Sequence, residues 1–264
     1  MTESCSLRTI CYAKYVSLLD VLFPKRCVRC KNVGEYICSD CFARISFDTR
    51  LICLVCGKNS IDGVTHPGCK GKYTIDGAFC GVVYKDIVRK LLYQFKYQPY
   101  LTDLQPILTD LLYELLIQQQ AFVQALQTKP LLVPIPLSQK RLRQRGYNQA
   151  ELYAKGLARK FDLKIEHLVI RSKETRPQFG LSKEDRQDNM KDAFSFVIES
   201  GAKHHICHSE IVSDSGSEQA RTINTVFLVD DILTTGSTLY EAAKVLKKNG
   251  FEKVWGIAFA REQN

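Results

Sequence analysis

Val226-Phe227-Leu228-Val229-Asp230-Asp231-Ile232-Leu233-Thr234-Thr235-Gly236-Ser237-Thr238 decides how this chain is read. Apolar residues run straight into two carboxylates, then into a turn of small hydroxyl residues and glycine. An unbroken apolar run such as Val226 to Val229 suits a parallel strand buried on both faces. Beyond the turn, Leu239, Ala242, Ala243 and Leu246 follow the i, i+3, i+4, i+7 rhythm of a helix, and Gly250 sits where a C-terminal cap belongs. The stretch therefore predicts a strand–turn–helix unit, with its polar residues at the carboxyl end of a strand. Open α/β sheets bind ligands there.

The residue types suggest which ligand. Thr234, Thr235, Gly236, Ser237 and Thr238 would present backbone N–H groups and hydroxyls at a helix N-terminus, where the dipole also favours an anion. Gly236 would let the backbone approach a phosphate without a Cβ in the way. Ionised Asp230 and Asp231 only accept hydrogen bonds, which suits sugar hydroxyls or a hydrated Mg²⁺. Phosphate on one side and a diol on the other describe a ribose 5-phosphate. Two aspartates that merely start a turn and cap a helix would explain the pair, but not the ordered run after it.

Composition sets the bounds. The chain has 264 residues, enough for one sizeable α/β domain and a small module, and no apolar run long enough for a membrane helix. Met1 to Asp20 is weakly amphipathic and carries charges, so no secretory signal is expected. A reduced, cytoplasmic setting follows as the expectation. The net charge of +9 and a pI near 9.0 favour polyanionic partners, either nucleic acid or the inner face of the cytoplasmic membrane.

Most of the 11 cysteines are crowded between Cys27 and Cys80. Cys27, Cys30, Cys38 and Cys41 form a C-x2-C-x7-C-x2-C array, the spacing of a four-thiolate Zn²⁺ site. A second array starts at Cys53 and Cys56 and would close with His66 and Cys69. Two other readings stay open: the second site stands empty, or the pairs interleave, with Cys27 and Cys30 sharing a metal with Cys53 and Cys56. Zinc here would replace a core too small to fold unaided. A closed thiolate site has no open position for catalysis. A disulfide cluster fits poorly with a chain for which no export signal is expected.

Further elements follow by pattern. Gly77 to Tyr84 reads as a strand, Ile87 to Tyr97 as a helix burying Leu91, Leu92 and Phe95, and Thr102 with Gln105 as a capping box opening one long helix to about Leu126. Leu131 to Val133 is a buried strand followed by the loop Pro134 to Lys140. Its basic continuation, Lys140, Arg141, Arg143 and Arg145, reads as a turn before a helix from Gln149 to Lys160. Arginine suits bidentate phosphate contact, and Tyr147 would offer a stacking face to a base. Arg171 to Asn189 is polar and cationic, and a polar insert, 201–224, carries His204, His205, Cys207 and His208. No His, Glu or Lys stands out as a general base.

The Asp-Asp segment resembles the phosphoribosyl pyrophosphate (PRPP) motif of type I phosphoribosyltransferases. The cysteine-rich head, Val133-Pro134-Ile135-Pro136-Leu137, the run from Arg141 to Gln149, and Arg171 to Asn189 together resemble the ComF/ComFC (GntX-like) family of competence-associated proteins, from about Leu19 to Arg261. The resemblance implies a type I phosphoribosyltransferase-like parallel sheet flanked by helices, at 76–264, behind an N-terminal segment, 1–20, and a zinc-ribbon module, 21–75. It implies a pyrophosphate or DNA contact at Lys140, Arg141, Arg143, Arg145 and Tyr147, and a flexible closing loop with Arg171, Thr175, Gln178 and Arg186. Family members often carry a Cys-x-x-Cys where this chain has Cys69 and Lys72, so the second zinc site departs from the pattern. The implied role is handling of incoming single-stranded DNA in natural transformation, beside a competence helicase or membrane DNA channel, with structural Zn²⁺ and with Mg²⁺ accompanying PRPP or a related ribose phosphate. The alternative is a Mg²⁺-dependent phosphoribosyltransferase on an unknown acceptor.

Overall fold

Apolar strands buried on both faces form the core of the fold from Ile45 onward, as their unbroken hydrophobic runs require. The computed structural model describes residues 24–97, 102–173, 183–197 and 224–263. Packing divides the chain into two units, Met1–Arg44 and Ile45–Asn264. In the smaller unit a hairpin around Cys27 to Cys30 precedes a single helical turn, α1 (Ser39–Phe42).

The larger unit begins with a second cysteine hairpin and runs into β1 (Gly77–Val83), α2 (Asp86–Lys96), α3 (Leu104–Leu116), α4 (Gln120–Leu126) and β2 (Leu131–Pro134). α5 (Gln139–Arg145), α6 (Gln149–Phe161), β3 (Val169–Arg171), α7 (Lys183–Met190) and β4 (Phe194–Phe196) follow, then β5 (Thr225–Leu233), α8 (Ser237–Lys248) and β6 (Lys253–Arg261). The main sheet has the order β1-β6-β5-β2, and every neighbouring pair is parallel. β3 and β4 form a separate antiparallel pair. This is the mixed α/β architecture expected, with a parallel sheet flanked by helices.

The two sheet faces differ in kind. One is aromatic: Phe79 stacks on Trp255 at 5.1 Å, Phe122 on Phe227 at 5.2 Å, and Tyr153 on Phe259 at 5.5 Å. The other is built of small residues, Ala78, Cys80 and Ala258, against Leu239, Ala242, Ala243 and Leu246 of α8. Gly256 is required there, because a Cβ would meet Leu239 Cδ1 at 2.6 Å. Burying a leucine such as Leu239 or Leu246 contributes roughly 1.5–3 kcal/mol. Both faces hold the carboxyl ends of β5 and β2 side by side.

Three local expectations change. The long helix to Leu126 is two helices, because the side-chain amides of Gln118 and Gln119 take the carbonyls of Glu114 and Leu115 and end the first. The capping box does not form either; Gln105 instead donates to Thr109 Oγ1 and Leu152 O, fastening α3 to α6. The basic turn after Ser138 is a helix, α5, which Ser138 caps and Gly146 ends at φ +78°. No helix of the described residues is long and apolar enough to cross a membrane.

Candidate functional site

β5 carries its two carboxylates to the carboxyl end of the sheet, and α8 starts at Ser237 behind Gly236 at φ +79°. That left-handed conformation is why a glycine stands in the turn. Asp230 Oδ1 accepts the Asp231 N–H at 2.8 Å, and Asp231 pairs with Lys96 Nζ at 2.7 Å. Thr235 Oγ1 lies 2.9 Å from Ser237 Oγ. Burial above all, then the charge of Asp231, pushes the Asp230 carboxyl up to about 7, against the pull of the Asp231 N–H, Lys96 and Arg171. Two adjacent carboxylates at a buried strand end are poorly solvated, and a bound cation or diol would satisfy them.

The basic groups predicted from separate stretches converge. Arg171, at the end of β3, is depressed below its ordinary value by burial first and by Arg141 second, while Asp230 acts in the opposite direction. Arg141, Arg171 and Asp230 therefore share one electrostatic neighbourhood, which brings together β5, α5 and the end of β3. Arg186 on α7 pairs with Glu262 at 3.2 Å, just beyond β6. Thr175 and Gln178 lie outside the described residues, as does the insert with His204 to His208.

Helical spacing sorts the arginine run. Lys140 and Arg143 are exposed, whereas Arg145 donates to Gln149 Oε1 at 2.9 Å and lies over the Tyr97 ring at 5.2 Å. Tyr147 is not a free stacking face: its hydroxyl donates to Phe95 O and its ring packs near Phe95. Asn148 caps α6 through Ala150 N–H and donates to Ile135 O at 2.9 Å. The Arg145-to-Gln149 run thus fastens the Val-Pro-Ile-Pro loop to α6. Lys96, paired with Asp231, is the candidate-site residue that sequence reasoning passed over; an i, i+4 position behind the buried Leu92 was its only signal.

A cavity of about 290 Å³ adjoins the hydroxyl side of the turn, lined by Leu54, Val55, Lys191, Thr235, Ser237 and Tyr240 among others. Leu54 sits between two cysteines and reaches Gly236 so closely that a Cβ there would meet its Cδ2 at 2.7 Å. The cysteine hairpin is part of the wall of this site.

The cysteines fall into two clusters, Cys27-Cys30-Cys38-Cys41 and Cys53-Cys56-His66-Cys69, each with its ligand atoms within 4.8 Å of one another. Cys30 Sγ and Cys38 Sγ are 3.5 Å apart, near the ~3.8 Å edge of a tetrahedron with ~2.3 Å Zn–S bonds. Cys56 Sγ is 3.3 Å from His66 Nδ1, while His66 Nε2 lies 3.0 Å from Asn59 O. That carbonyl requires the proton on Nε2 and leaves Nδ1 as the metal-facing acceptor. Burial works against thiolates at Cys27 and Cys53, but backbone N–H donors outweigh it and bring them down to about 6 and about 7. The residues fit zinc, and the pairs group in sequence order without interleaving. Cys80, buried on the sheet face, is pushed up to about 12 by burial and is inert.

Comparison with known proteins bears on the cysteine-rich head and on the chain as a whole. Residues 18–83 match the double zinc ribbon domain family. With the two clusters, this makes structural zinc a property of the head. Competence protein F of Haemophilus influenzae is 32% identical over 248 residues, covering 90% of this chain and 98% of that protein. Competence protein ComFC of Bacillus subtilis is 26% identical over 224 residues, covering 82% of this chain and 80% of that protein. DNA utilization protein YhgH of Escherichia coli is 31% identical over 126 residues, covering 47% of this chain and 46% of that protein.

Proposed function

The chain belongs to the ComF/ComFC family, and from that premise we propose that it handles incoming single-stranded DNA during uptake, with a ribose-phosphate pocket of the PRPP type at its centre. The observation that carries the pocket is the juxtaposition of Asp230 and Asp231 with the Thr234–Thr238 turn, under the cations Lys96, Arg141 and Arg171. In this reading the turn and the N-terminus of α8 take the 5-phosphate, and the carboxylates take the ribose hydroxyls or a Mg²⁺ that neutralises the pyrophosphate. Lys140, Arg141 and Arg143 supply the countercharge for pyrophosphate or successive DNA phosphates. Residues 21–75 act as one double-ribbon module, with one zinc held by Cys27, Cys30, Cys38 and Cys41 and another by Cys53, Cys56, His66 and Cys69. The names of the relatives, competence and DNA utilization, support the DNA role. The basic surplus of the chain supports it as well.

Thermal unfolding with and without Mg²⁺-PRPP tests the pocket. The wild type is expected to gain stability at millimolar PRPP, and Asp230→Asn with Asp231→Asn to lose that gain while staying folded. No gain in the wild type overturns the ribose-phosphate assignment. Competition between PRPP and labelled single-stranded DNA then decides whether both share one pocket, mutual exclusion being the expected result. A second reading, turnover of PRPP onto an acceptor, would be favoured if pyrophosphate were released in the presence of candidate amines or bases.

A further inference from the structure

The outer face of α2 and the residue that caps it carry two large exposed aromatic side chains, Tyr93 at 59% and Tyr97 at 46% exposure. The same helix buries Ile87, Val88, Leu91, Leu92 and Phe95, so the exposed rings are surplus to its packing. Arg89 and Tyr93 are spaced i, i+4 on α2, and Tyr97, its extended C-cap, continues the stripe through its ring contact with Tyr93, with Lys85 and Lys90 exposed beside it. None of Lys85, Arg89 or Lys90 takes part in an ion pair among the described residues. The tyrosine rings lie 4.8 Å apart, and the Arg145 guanidinium covers part of Tyr97 at 5.2 Å, extending the stripe onto α5. Lys96 of the same helix turns the other way and holds Asp231.

We propose that this Arg89–Tyr93–Tyr97–Arg145 stripe is a stacking track for single-stranded DNA that leads towards the carboxylate pocket. The proposal rests on the DNA-handling reading and assigns it a surface distinct from the phosphate turn. Exposed aromatic rings flanked by cations that form no ion pair are what a single strand needs. Every base offers a π-face to a ring, while Lys and Arg follow the phosphates. A duplex hides those faces in its own stack, so the surface selects single strands. From Arg89 to Lys96, the last residue of α2, the helix rises about 10 Å, and Tyr97 extends it by one residue, room for roughly three nucleotides at the ~3.4 Å per-strand spacing. An acidic peptide would engage the cations but give the two rings no role.

The test is fluorescence anisotropy of the full chain with a labelled oligo-dT, an abasic oligomer of the same length, and the matching duplex, across a salt series. Tyr93→Ala with Tyr97→Ala should weaken oligo-dT binding at least tenfold and leave abasic binding and the salt slope unchanged. Tyr93→Phe with Tyr97→Phe should bind like the wild type. Arg89→Ala with Lys90→Ala should flatten the salt slope by ~1.4 for both single strands. Unchanged oligo-dT binding by the alanine pair, an equal loss on the abasic strand, or equal affinity for duplex overturns the track. If the wild type binds oligo-dT and the alanine pair matches it, the DNA-handling reading survives and only this surface fails. If the wild type binds no DNA, both fall.

Discussion

The hairpins Lys25–Gly34 and Leu51–Ser60 are the same structure written twice. Cys27 N–H donates to Asn32 O at 2.8 Å and Cys53 N–H to Lys58 O at 2.9 Å. Lys31 N–H returns to Cys27 O at 2.9 Å, and Gly57 N–H returns to Cys53 O at 2.8 Å. Bridges Arg26–Val33 and Ile52–Asn59 close both, and Lys31 and Gly57 each take a positive φ, 67° and 74°. What differs is the side chains around an identical backbone. The first hairpin carries Lys25, Arg26, Arg29 and Lys31; the second carries Leu51, Ile52, Leu54 and Val55. The second also continues into the sheet, where Thr65 N–H donates to Asp76 O at 2.8 Å and Asp76 binds Lys247 Nζ at 2.7 Å. One copy stays a basic ribbon; the other forms part of the wall of the cavity beside the Thr235–Ser237 turn.

That contrast can be broken most forcefully at the metal ligands. Structural zinc supplies roughly 10–16 kcal/mol in isolated finger peptides. Cys56→Ala should lower bound zinc from two ions to one and abolish most of the PRPP-dependent gain in Tm. Cys30→Ala should cost a zinc as well but leave that gain in place. Equal losses in the two variants would erase the distinction between the ribbons.

Next in size is Leu54→Ala, which removes a buried side chain and should cost about 2–5 kcal/mol, weakening PRPP binding with it. Its counterpart Val28→Ala should cost less and leave binding alone. Gly236→Ala should cost about 1–2 kcal/mol for the left-handed backbone alone, and more for its contact with Leu54. In the Leu54→Ala background that excess should vanish. A double-mutant cycle in denaturant measures the coupling, and additive costs would show that the knuckle does not brace the turn.

A smaller effect comes with pH. Asp230 titrates at about 7 when folded and near 4 when unfolded, so between those values only the folded chain holds the proton. Its stabilising contribution is therefore full at low pH and disappears as pH rises through 7. Binding of Mg²⁺-PRPP, which needs the carboxylate, should strengthen over the same range. Tm measured from pH 5.5 to 8 with and without ligand checks both, and Asp230→Asn should flatten both trends. The smallest effect belongs to Lys72, three residues after Cys69. Lys72→Ala should change stability by no more than ~0.5 kcal/mol and leave zinc content unaltered, because His66 already completes the second cluster.

Local patterns were legible wherever one segment held all the relevant atoms. The buried strand Val226–Val229, the α8 periodicity and the Cys27–Cys41 spacing each declared themselves, since a dihedral preference or a tetrahedral ligand set imposes a short repeat. The duplicated hairpin was legible in principle, through the equal spacing of Cys27-Cys30 and Cys53-Cys56. Its consequence was not. Tyr147 looked like a free ring because a single hydrogen bond to a carbonyl 52 residues away leaves no trace in its neighbours. The break between α3 and α4 depends on where glutamine side chains turn, which propensity alone does not specify.

By itself, the sequence determined the chemistry available: carboxylates and hydroxyls at a strand end, thiolates at ligand spacing, and a surplus of cations. These follow from residue type and short-range geometry. Only the tertiary structure decided which of them meet. Parallel strand order brings β5 beside β2 and β6, α2 turns Lys96 onto Asp231, and the second hairpin lays Leu54 against Gly236. Such pairings are long-range because burial of apolar surface, which drives them, rewards any compact arrangement that closes the core. Sequence spacing carries no record of which distant side chains that closure brings into contact.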